Sequence, residues 1–422
     1  MRTLLIGSGG RENALAWALA RSAETSELIS APGNPGMAAF GPTEPLETAD
    51  PASVVALARR LGAGLVVVGP EAPLVAGVAD ALRADGRAVF GPDAAAARLE
   101  GSKAFAKEVM AAAGVATARW RAFTSPGPAT GYLDELGSPY VVKADGLAAG
   151  KGVVVTASRE EAATAVAASL GGGRRVIVEE HLTGEEVSLI ALTDGQTVAP
   201  CEPAQDYKRA GDQDQGPNTG GMGSYSPVPS CPPRLAQELV ATVLEPVVRV
   251  LGERGTPFVG ALYAGVMLTD HGPKVLEFNA RFGDPETQAL LPRLTTDFGA
   301  AVIACATGDL AGTRLTFSQE AAVCVVLASG GYPGPHDTGL VIGGVADASA
   351  LPHVHVFHAG TEVVDGRLVT AGGRVLAVTA LGADVTEARA RVYAAAMTID
   401  FEGRHLRSDI GLRAARAQAV RS

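Results

Sequence analysis

The chain has 422 residues, 47% of them hydrophobic, and carries 35 basic against 45 acidic side chains for a net charge of −10. That length is too great for one ordinary core, so roughly two to four domains are expected, and the apolar content excludes a disordered chain. With no run of Lys or Arg to replace phosphate counterions, the acidic balance also excludes a nucleic-acid binder.

The first hundred residues alternate strand and helix. "RTLLIGSGG" is a short apolar strand ending in glycines, and "RENALAWALARS" continues as an amphipathic helix. "LISAPGN", "AGLVVVGPEAPL" and "RAVFGPD" read as further strands, with "PASVVALARRLG" and "VAGVADALRADG" as the helices between them. Such alternation means a parallel doubly wound sheet, whose ligands bind beyond the carboxyl ends of its strands. Here those ends carry "GSGGRE" and "GPEAPL".

The rhythm then changes to α+β. "GSKAFAKEVMAAAG" is a helix, and "YVVKADGLAAGKGVVVTAS" is two β-rich runs around a Gly/Ala loop. A helix at 160–170 and the strand "RRVIVEEHL" follow, so about 120–190 forms a small α+β subdomain. Residues 204–227 read as a long polar loop with no structure of its own, a feature usually functional or disordered. A helix at 233–253 precedes "ALYAGVMLTD" and "KVLEFN", two strands in hairpin arrangement. From about 325 the chain looks like a separate β-rich module ending in a helix. The expected domains are 1–101, 102–325 and 326–422.

Four cysteines, Cys201, Cys231, Cys305 and Cys324, form no C-x-x-C and read as buried hydrophobes in a reducing compartment. No uncharged apolar run reaches the ~18–20 residues that span a membrane, and the first residues meet charge too early for a signal peptide. A cytoplasmic setting is expected.

Several segments carry chemistry. "GSGGRE" departs from a dinucleotide fingerprint, since Glu12 stands where a third glycine belongs and the second strand brings Ser30 where an acid would hold a ribose. The amides of Gly9 and Gly10 at a helix start still suit a phosphate. "ADGLAAGKG" fails the Walker pattern, with Asp145 for the first glycine and Gly152 after the lysine. It joins two strands and reads as a flap whose amides and Lys151 cover phosphates, with Lys143 ending the preceding strand. The acids of "IVEEHLTGEE" either are solvated or lie beside a nucleotide. Glu277 and Asn279 lie at i and i+2 of one strand and share a face about 6.5 Å apart, a pair of hard oxygen donors suited to Mg²⁺ beside phosphates. His353 and His355 lack an acid or Cys at ligand-like spacing, which favours a surface strand over zinc.

Together, "GSGGRENALAWAL", "VGPEAPL", "GSKAFAK", "VVKADGLAAGKGV", "GPNTGGMGSYSP" and "EFNARFGDPETQ" resemble the phosphoribosylamine–glycine ligases (glycinamide ribonucleotide synthetases) of the ATP-grasp superfamily, over nearly the whole chain and in that family's order. The resemblance implies an N-terminal Rossmann-like domain, an ATP-grasp fold with a mobile lid subdomain at about 120–190, and a C-terminal β-rich domain. It implies ligation of glycine to 5-phosphoribosylamine with ATP in purine biosynthesis, through a glycyl phosphate, giving glycinamide ribonucleotide, ADP and phosphate.

By the same resemblance, Lys103, Lys143, Gly150 and Lys151 would hold the triphosphate, Glu179, Glu180 and Leu182 would line the adenine pocket, and Glu186 would hold ribose. Glu277 and Asn279 would bind Mg²⁺ or Mn²⁺. Arg281 would pair with the glycine carboxylate or its acyl phosphate, and Asp284 would face the incoming amine. Gly9, Gly10, Glu12 and Glu71 would hold phosphoribosylamine. Asp212 and the loop Pro217, Asn218, Thr219, Gly220 and Gly221 would close over the substrates. The partners implied are small molecules only, with the chain a monomer or homodimer. Asn13 stands where the family commonly has His, Tyr207 where many members have His, and "GGGRR" is shorter than the usual loop. The competing readings are another ATP-grasp carboxylate–amine ligase, a nicotinamide oxidoreductase, which Glu12 and Ser30 oppose, and a catalytically silent nucleotide-binding protein.

Overall fold

The structure is a computed structural model and describes residues 1–147 and 152–421. Its N-terminal part is a four-stranded parallel sheet in the order Glu27–Pro32, Arg2–Gly7, Leu65–Val68, Ala88–Phe90. The interior residues of these strands are almost all buried, as a sheet covered on both faces requires. The covering helices start and stop on local signals. Asp50 accepts from the amides of Ala52 and Ser53 ahead of Pro51–Leu61, and Gly62 ends that helix at φ +62°. The strand order reverses between Arg2–Gly7 and Leu65–Val68, so the ligand crevice of this sheet opens between Gly7 and Gly69.

A second, antiparallel sheet runs Trp120–Phe123, Val176–Glu180, Tyr140–Ala144, Val153–Thr156. Helices Pro126–Leu136 and Arg159–Ser169 cover it, and it has an apolar cluster of its own built on Leu133, Val142, Val166 and Val178. The expected subdomain of 120–190 includes one strand too many. Glu185–Asp194 leaves this sheet at a turn through Gly184 and pairs with Val259–Thr269 instead.

That third sheet, Val198–Pro200, Glu185–Asp194, Val259–Thr269, Gly272–Asn279, is antiparallel and contains the expected hairpin. Helix Lys103–Ala113, capped by the Ser102 hydroxyl and ended by Gly114 at φ +68°, and helix Phe298–Thr307 lie against it. The helix expected at 233–253 divides into Pro233–Leu239, a wider π turn at Val240–Leu244, and Glu245–Glu253. Pro246 has no amide to donate to a carbonyl four residues back, and the turn before it widens.

The C-terminal sheet is ordered Gln205–Asp206, Gly223–Ser226, Ala321–Ala328, Arg374–Gly382, Val354–His358. Its central strand spans the expected junction at 325/326. Two of its strands come from the segment read as a structureless loop. Between them Arg209–Gly211 pairs with Gln215–Asn218 around Gln213 and Asp214, both at positive φ. The reading missed these strands because they are short and polar, and because the partner of Gly223–Ser226 lies about a hundred residues on. The four cysteines are free thiols. No described helix is long and apolar enough to cross a membrane. His353 precedes the strand at φ +62°, and the His355 ring packs 5.0 Å from Trp17, so the two histidines do not share a strand face.

Arg293 joins these parts. It is 2% exposed, donates to Glu320 O at 2.6 Å, Ser226 Oγ at 2.6 Å and Ser318 O at 3.0 Å, and pairs with Glu202 at 2.7 Å. Arg293→Ala strands several buried acceptors at once, a loss of roughly 3 kcal/mol or more. A thermal melt is expected to show a midpoint at least about 5 °C lower. An unchanged midpoint would remove Arg293 from this role.

Candidate active site

One cleft of about 800 Å³ lies where the N-terminal, central and C-terminal sheets and the antiparallel subdomain meet. Its lining includes Lys103, Lys143, Glu179, Glu180, Leu182 and Glu186 on one side, and Glu277, Asn279, Arg281, Asp284, Glu71, Asn218, Thr219 and Gly220 on the other. Gly150 and Lys151 lie outside the described residues. The ends of their loop are built as a hairpin, not as a Walker turn, since Tyr140–Ala144 and Val153–Thr156 pair antiparallel. Asp145 pins the hairpin base, with Arg175 Nε at 3.1 Å and Ser102 Oγ at 3.1 Å. Lys103 Nζ donates to Gly146 O at 2.8 Å.

The cleft's charges come in matched groups. Glu179 is 2% exposed and sits between Lys143 and Lys107, the latter at 2.7 Å. Burial alone would raise its carboxyl, but the two ammoniums hold it below the usual range. Burial lowers both Lys103 and Lys107, partly offset by Glu277 and by Glu179 respectively. Glu180 is tied to Lys274 at 2.7 Å and Arg119 at 3.0 Å, which bridges two sheets.

Glu277 faces Lys208, Nζ to Oε1 3.3 Å, and Lys208 also pairs with Glu186. The Lys208 charge, with Lys143 and Lys103, holds Glu277 down to about 2 against the effect of burial. The pairing follows from register. Glu277 lies opposite Gly265, Glu186 opposite the nearby Met267 on the other side, and Gly265 offers no side chain between them.

Arg281 is bracketed by two acids, Glu71 at 3.2 Å and Glu100 at 2.9 Å. Burial would lower the guanidinium, and Glu100 and Glu71 more than restore it. Glu100 itself is pushed up by burial and also accepts from the Ala280 amide at 2.7 Å. Asp284 pairs with Arg374 at 3.3 Å, and Gln288 donates to it at 2.7 Å. Burial opposes ionisation there, and Arg374 and Arg11 favour it.

Some expected residues stand elsewhere. Glu12 does not line the cleft. It is 2% exposed, its Oε2 accepts from the Gly9 amide at 2.8 Å, and its Oε1 accepts from Arg11. It fills the crevice between Gly7 and Gly69, where a Cβ on either glycine would come within 2.5 Å of it. Gly9 therefore has no spare amide for a phosphate, although Gly9 and Gly10 both lie beside Asp284. Asp212 is exposed and points away, accepting from the amide of Ser408 at 2.7 Å and from its hydroxyl. Asp214 lines the cleft instead. Pro217 and Gly221 are not in the lining, but Gly221 turns the loop at φ +112°, where a Cβ would lie 2.4 Å from Pro285. Asn13 Oδ1 accepts from the His358 amide at 2.6 Å, and the Tyr207 hydroxyl accepts from the Gly411 amide at 3.0 Å, so both have structural partners.

Sequence reasoning missed Arg11, Glu100, Lys107, Lys208 and Arg374. Lys107 was findable, being four residues from Lys103 on one helix face. Arg374 was not, since it arrives from a C-terminal strand with no local signal.

Three family descriptions match in succession: phosphoribosylglycinamide synthetase N domain over residues 1–100, ATP-grasp (A) domain over 101–287, and C domain over 322–413. The chain belongs to the phosphoribosylglycinamide synthetase family. A phosphoribosylamine–glycine ligase of Streptomyces coelicolor is 54% identical over 420 residues, covering 99% of this chain and 100% of that protein. The crystal structure of a phosphoribosylamine–glycine ligase from Thermotoga maritima is 34% identical with a TM-score of 0.82, covering 97% of this chain and 100% of that one. A biotin carboxylase from Campylobacter jejuni shares the fold at 14% identity, with a TM-score of 0.74 over 96% of this chain and 93% of that one.

A lysine at 281 could neutralise one flanking acid but has no planar fork for two. Arg281→Lys is expected to cut kcat/KM for the carboxylate substrate by about 100-fold or more, as a misplacement of about 1 Å can. Near-normal steady-state kinetics would overturn the assignment of Arg281 to the reaction centre.

Proposed function

We propose that this cleft joins glycine to 5-phosphoribosylamine at the expense of ATP. The observation that carries the reading is the convergence of Lys103, Lys143, Glu277, Asn279, Arg281 and Asp284 on one cleft that also reaches Glu71 at the strand ends of the N-terminal sheet. In a member of this family, that is an ATP site and a phosphoribosyl site opening on the same space.

A glycine carboxylate oxygen attacks the γ-phosphorus of ATP, the bond to the β–γ bridging oxygen breaks, and ADP leaves with the electron pair. The amine nitrogen of phosphoribosylamine then attacks the acyl carbon, the carbon–oxygen bond to phosphate breaks, and the nitrogen loses a proton. Phosphoryl transfer asks the protein mainly for positioning and charge neutralisation. Lys103 and Lys143 are assigned to the phosphates, with Glu179 fixing Lys143. Glu179, Glu180 and Leu182 border the adenine pocket, and Glu186 turns its second oxygen to ribose. Arg281, held flat by Glu71 and Glu100, meets the glycine carboxylate, and Asp284 the incoming amine. Glu71, Gly9 and Gly10 border the phosphoribosylamine side, with Glu12 supporting them from beneath.

Glu277 and Asn279 fit a hard divalent cation. They are a carboxylate and an amide oxygen on one strand face, and Lys208 shows that a cation is already accommodated at Glu277. Among the described residues no set of three or more acids, His or Cys is arranged for a metal; Mg²⁺ beside a nucleotide takes most of its ligands from phosphate and water. Bound Mg²⁺ or Mn²⁺ would supply neutralisation of phosphate charge there. The three expected domains act as a phosphoribosyl-binding unit, an ATP-binding unit with its lid, and a C-terminal unit that delivers Arg374. The setting is the cytoplasm, and the chain acts as a monomer or homodimer.

The deciding assay is phosphate release from ATP and Mg²⁺ with glycine and freshly made phosphoribosylamine, together and singly. Release that needs both, matched by glycinamide ribonucleotide, is the expected result. Release with a different carboxylate or amine would move the chain to another ATP-grasp ligase activity. Glu277→Ala should lower release by about 100-fold or more while the chain still folds, since Glu186 keeps Lys208 paired. Wild-type turnover at ordinary Mg²⁺ would remove Glu277 from the metal site.

A further inference from the structure

We propose that Asp206 and Glu286 form the cradle that takes the ammonium group of glycine. The inference rests on the glycine-ligase reading above and names the part of the site that recognises the amino end of that substrate.

Both carboxylates line the cleft. Glu286 is 2% exposed; its Oε1 accepts from Ser188 Oγ at 2.8 Å, and its Oε2 has no hydrogen-bond partner among the described residues. Asp206 Oδ1 is likewise buried without a partner. The two come together through the chain. Asp206 lies opposite Ser224 in its strand pair, and Ser224 Oγ donates to the carbonyl of Pro285, one residue before Glu286. Burial and then Glu286 push the Asp206 carboxyl well up.

The nearby cations are already engaged. Lys208 is shared by Glu186 and Glu277, and Arg374 pairs with Asp284 and donates to Gly220 O at 2.6 Å and Asp284 O at 2.9 Å. Neither Asp206 nor Glu286 has an ion-pair partner among the described residues. Carboxylate oxygens left without a partner, with no cation between them, favour a positive group that arrives.

The walls fit a small ammonium. A Cβ at Gly221 would stand 2.8 Å from Asp206 Oδ1, and one at Gly283 2.4 Å from Glu286 Oε2, so the backbone is bare where each carboxylate lies. The Ser188 and Tyr263 hydroxyls, 2.9 Å apart, close the inner side. Position also fits. Ser188, which donates to Glu286, and Glu277 lie opposite Gly265 on its two sides, so the cradle and the metal-side carboxylate flank the same strand position. A glycine held there by its amino end turns its carboxylate toward the phosphates.

The test is the steady-state kinetics of the whole chain as wild type, Glu286→Gln and Asp206→Asn, with glycine, ATP, Mg²⁺ and phosphoribosylamine varied in turn and acetate as a competing carboxylate without an ammonium. Thermal melts monitor folding, and Asp206→Asn, at the cleft edge, is the milder change. The expected result is a glycine KM raised roughly 10- to 100-fold in each variant, as loss of a charge-assisted contact implies. The KM for ATP and the inhibition constant for acetate should stay within about threefold. An unchanged glycine KM in a folded variant overturns the proposal. So does a rise confined to Mg²⁺ or phosphoribosylamine, or a loss of acetate binding parallel to that of glycine. Wild-type protein that releases no phosphate in response to glycine would instead overturn the function proposed above.

Discussion

Charge cannot leave water without a partner, and each segment that closes this cleft supplies the partner of another. Glu179 on the subdomain sheet is held by Lys107 of a packed helix and Lys143 of the neighbouring strand. Glu277 meets Lys208 from the 204–227 segment. Arg281 is gripped by Glu71 of the N-terminal domain and Glu100 of the following helix, and Asp284 by Arg374 of the C-terminal sheet. Breaking any pair leaves a buried charge uncompensated, which costs more than the pair contributes. The cleft therefore holds the segments in mutual position while presenting fixed charges to a reaction that consists largely of moving charge.

The same pairing explains how an acidic chain accommodates an anionic substrate. The chain carries a net charge of −10, yet Lys103, Lys107, Lys143 and Lys208 gather around the cleft among acids that fix them. Net charge describes solubility and association; local arrangement decides what binds.

Legibility in the sequence follows the range of the interactions. The parallel sheet was readable, because its apolar runs and its N-cap and C-cap residues, such as Asp50 and Gly62, act within a few positions. The central hairpin was readable too, and with it the shared face of Glu277 and Asn279. Nothing local at Gly184 says that Glu185–Asp194 changes sheets to pair with Val259–Thr269. The 205–226 strands were not readable because they are short, and because Gly223–Ser226 finds its partner in Ala321–Ala328, far along the chain. At the site, motif residues that line the cleft were legible. Their ion-pair partners, Glu100, Lys208 and Arg374, were not. Glu12 and Asp212 carried motif weight, yet their carboxylates serve the backbone of Gly9 and of Ser408. A sequence shows that an acid is present but not which hydrogen bonds it already makes.

The placement of Gly223–Ser226 has a consequence for how the protein is made. That strand pairs with Ala321–Ala328, which in turn needs Arg374–Gly382 beside it. At ribosomal speeds of ~5–20 residues per second, roughly 5–20 s pass between synthesis of the first and arrival of the second. During that interval the strand exposes an unpaired edge to other nascent chains. A fragment ending ahead of Ala321 would keep that edge permanently, and with it a template for aggregation. The loop that reaches into the cleft thus matures only when the last quarter of the chain has left the ribosome.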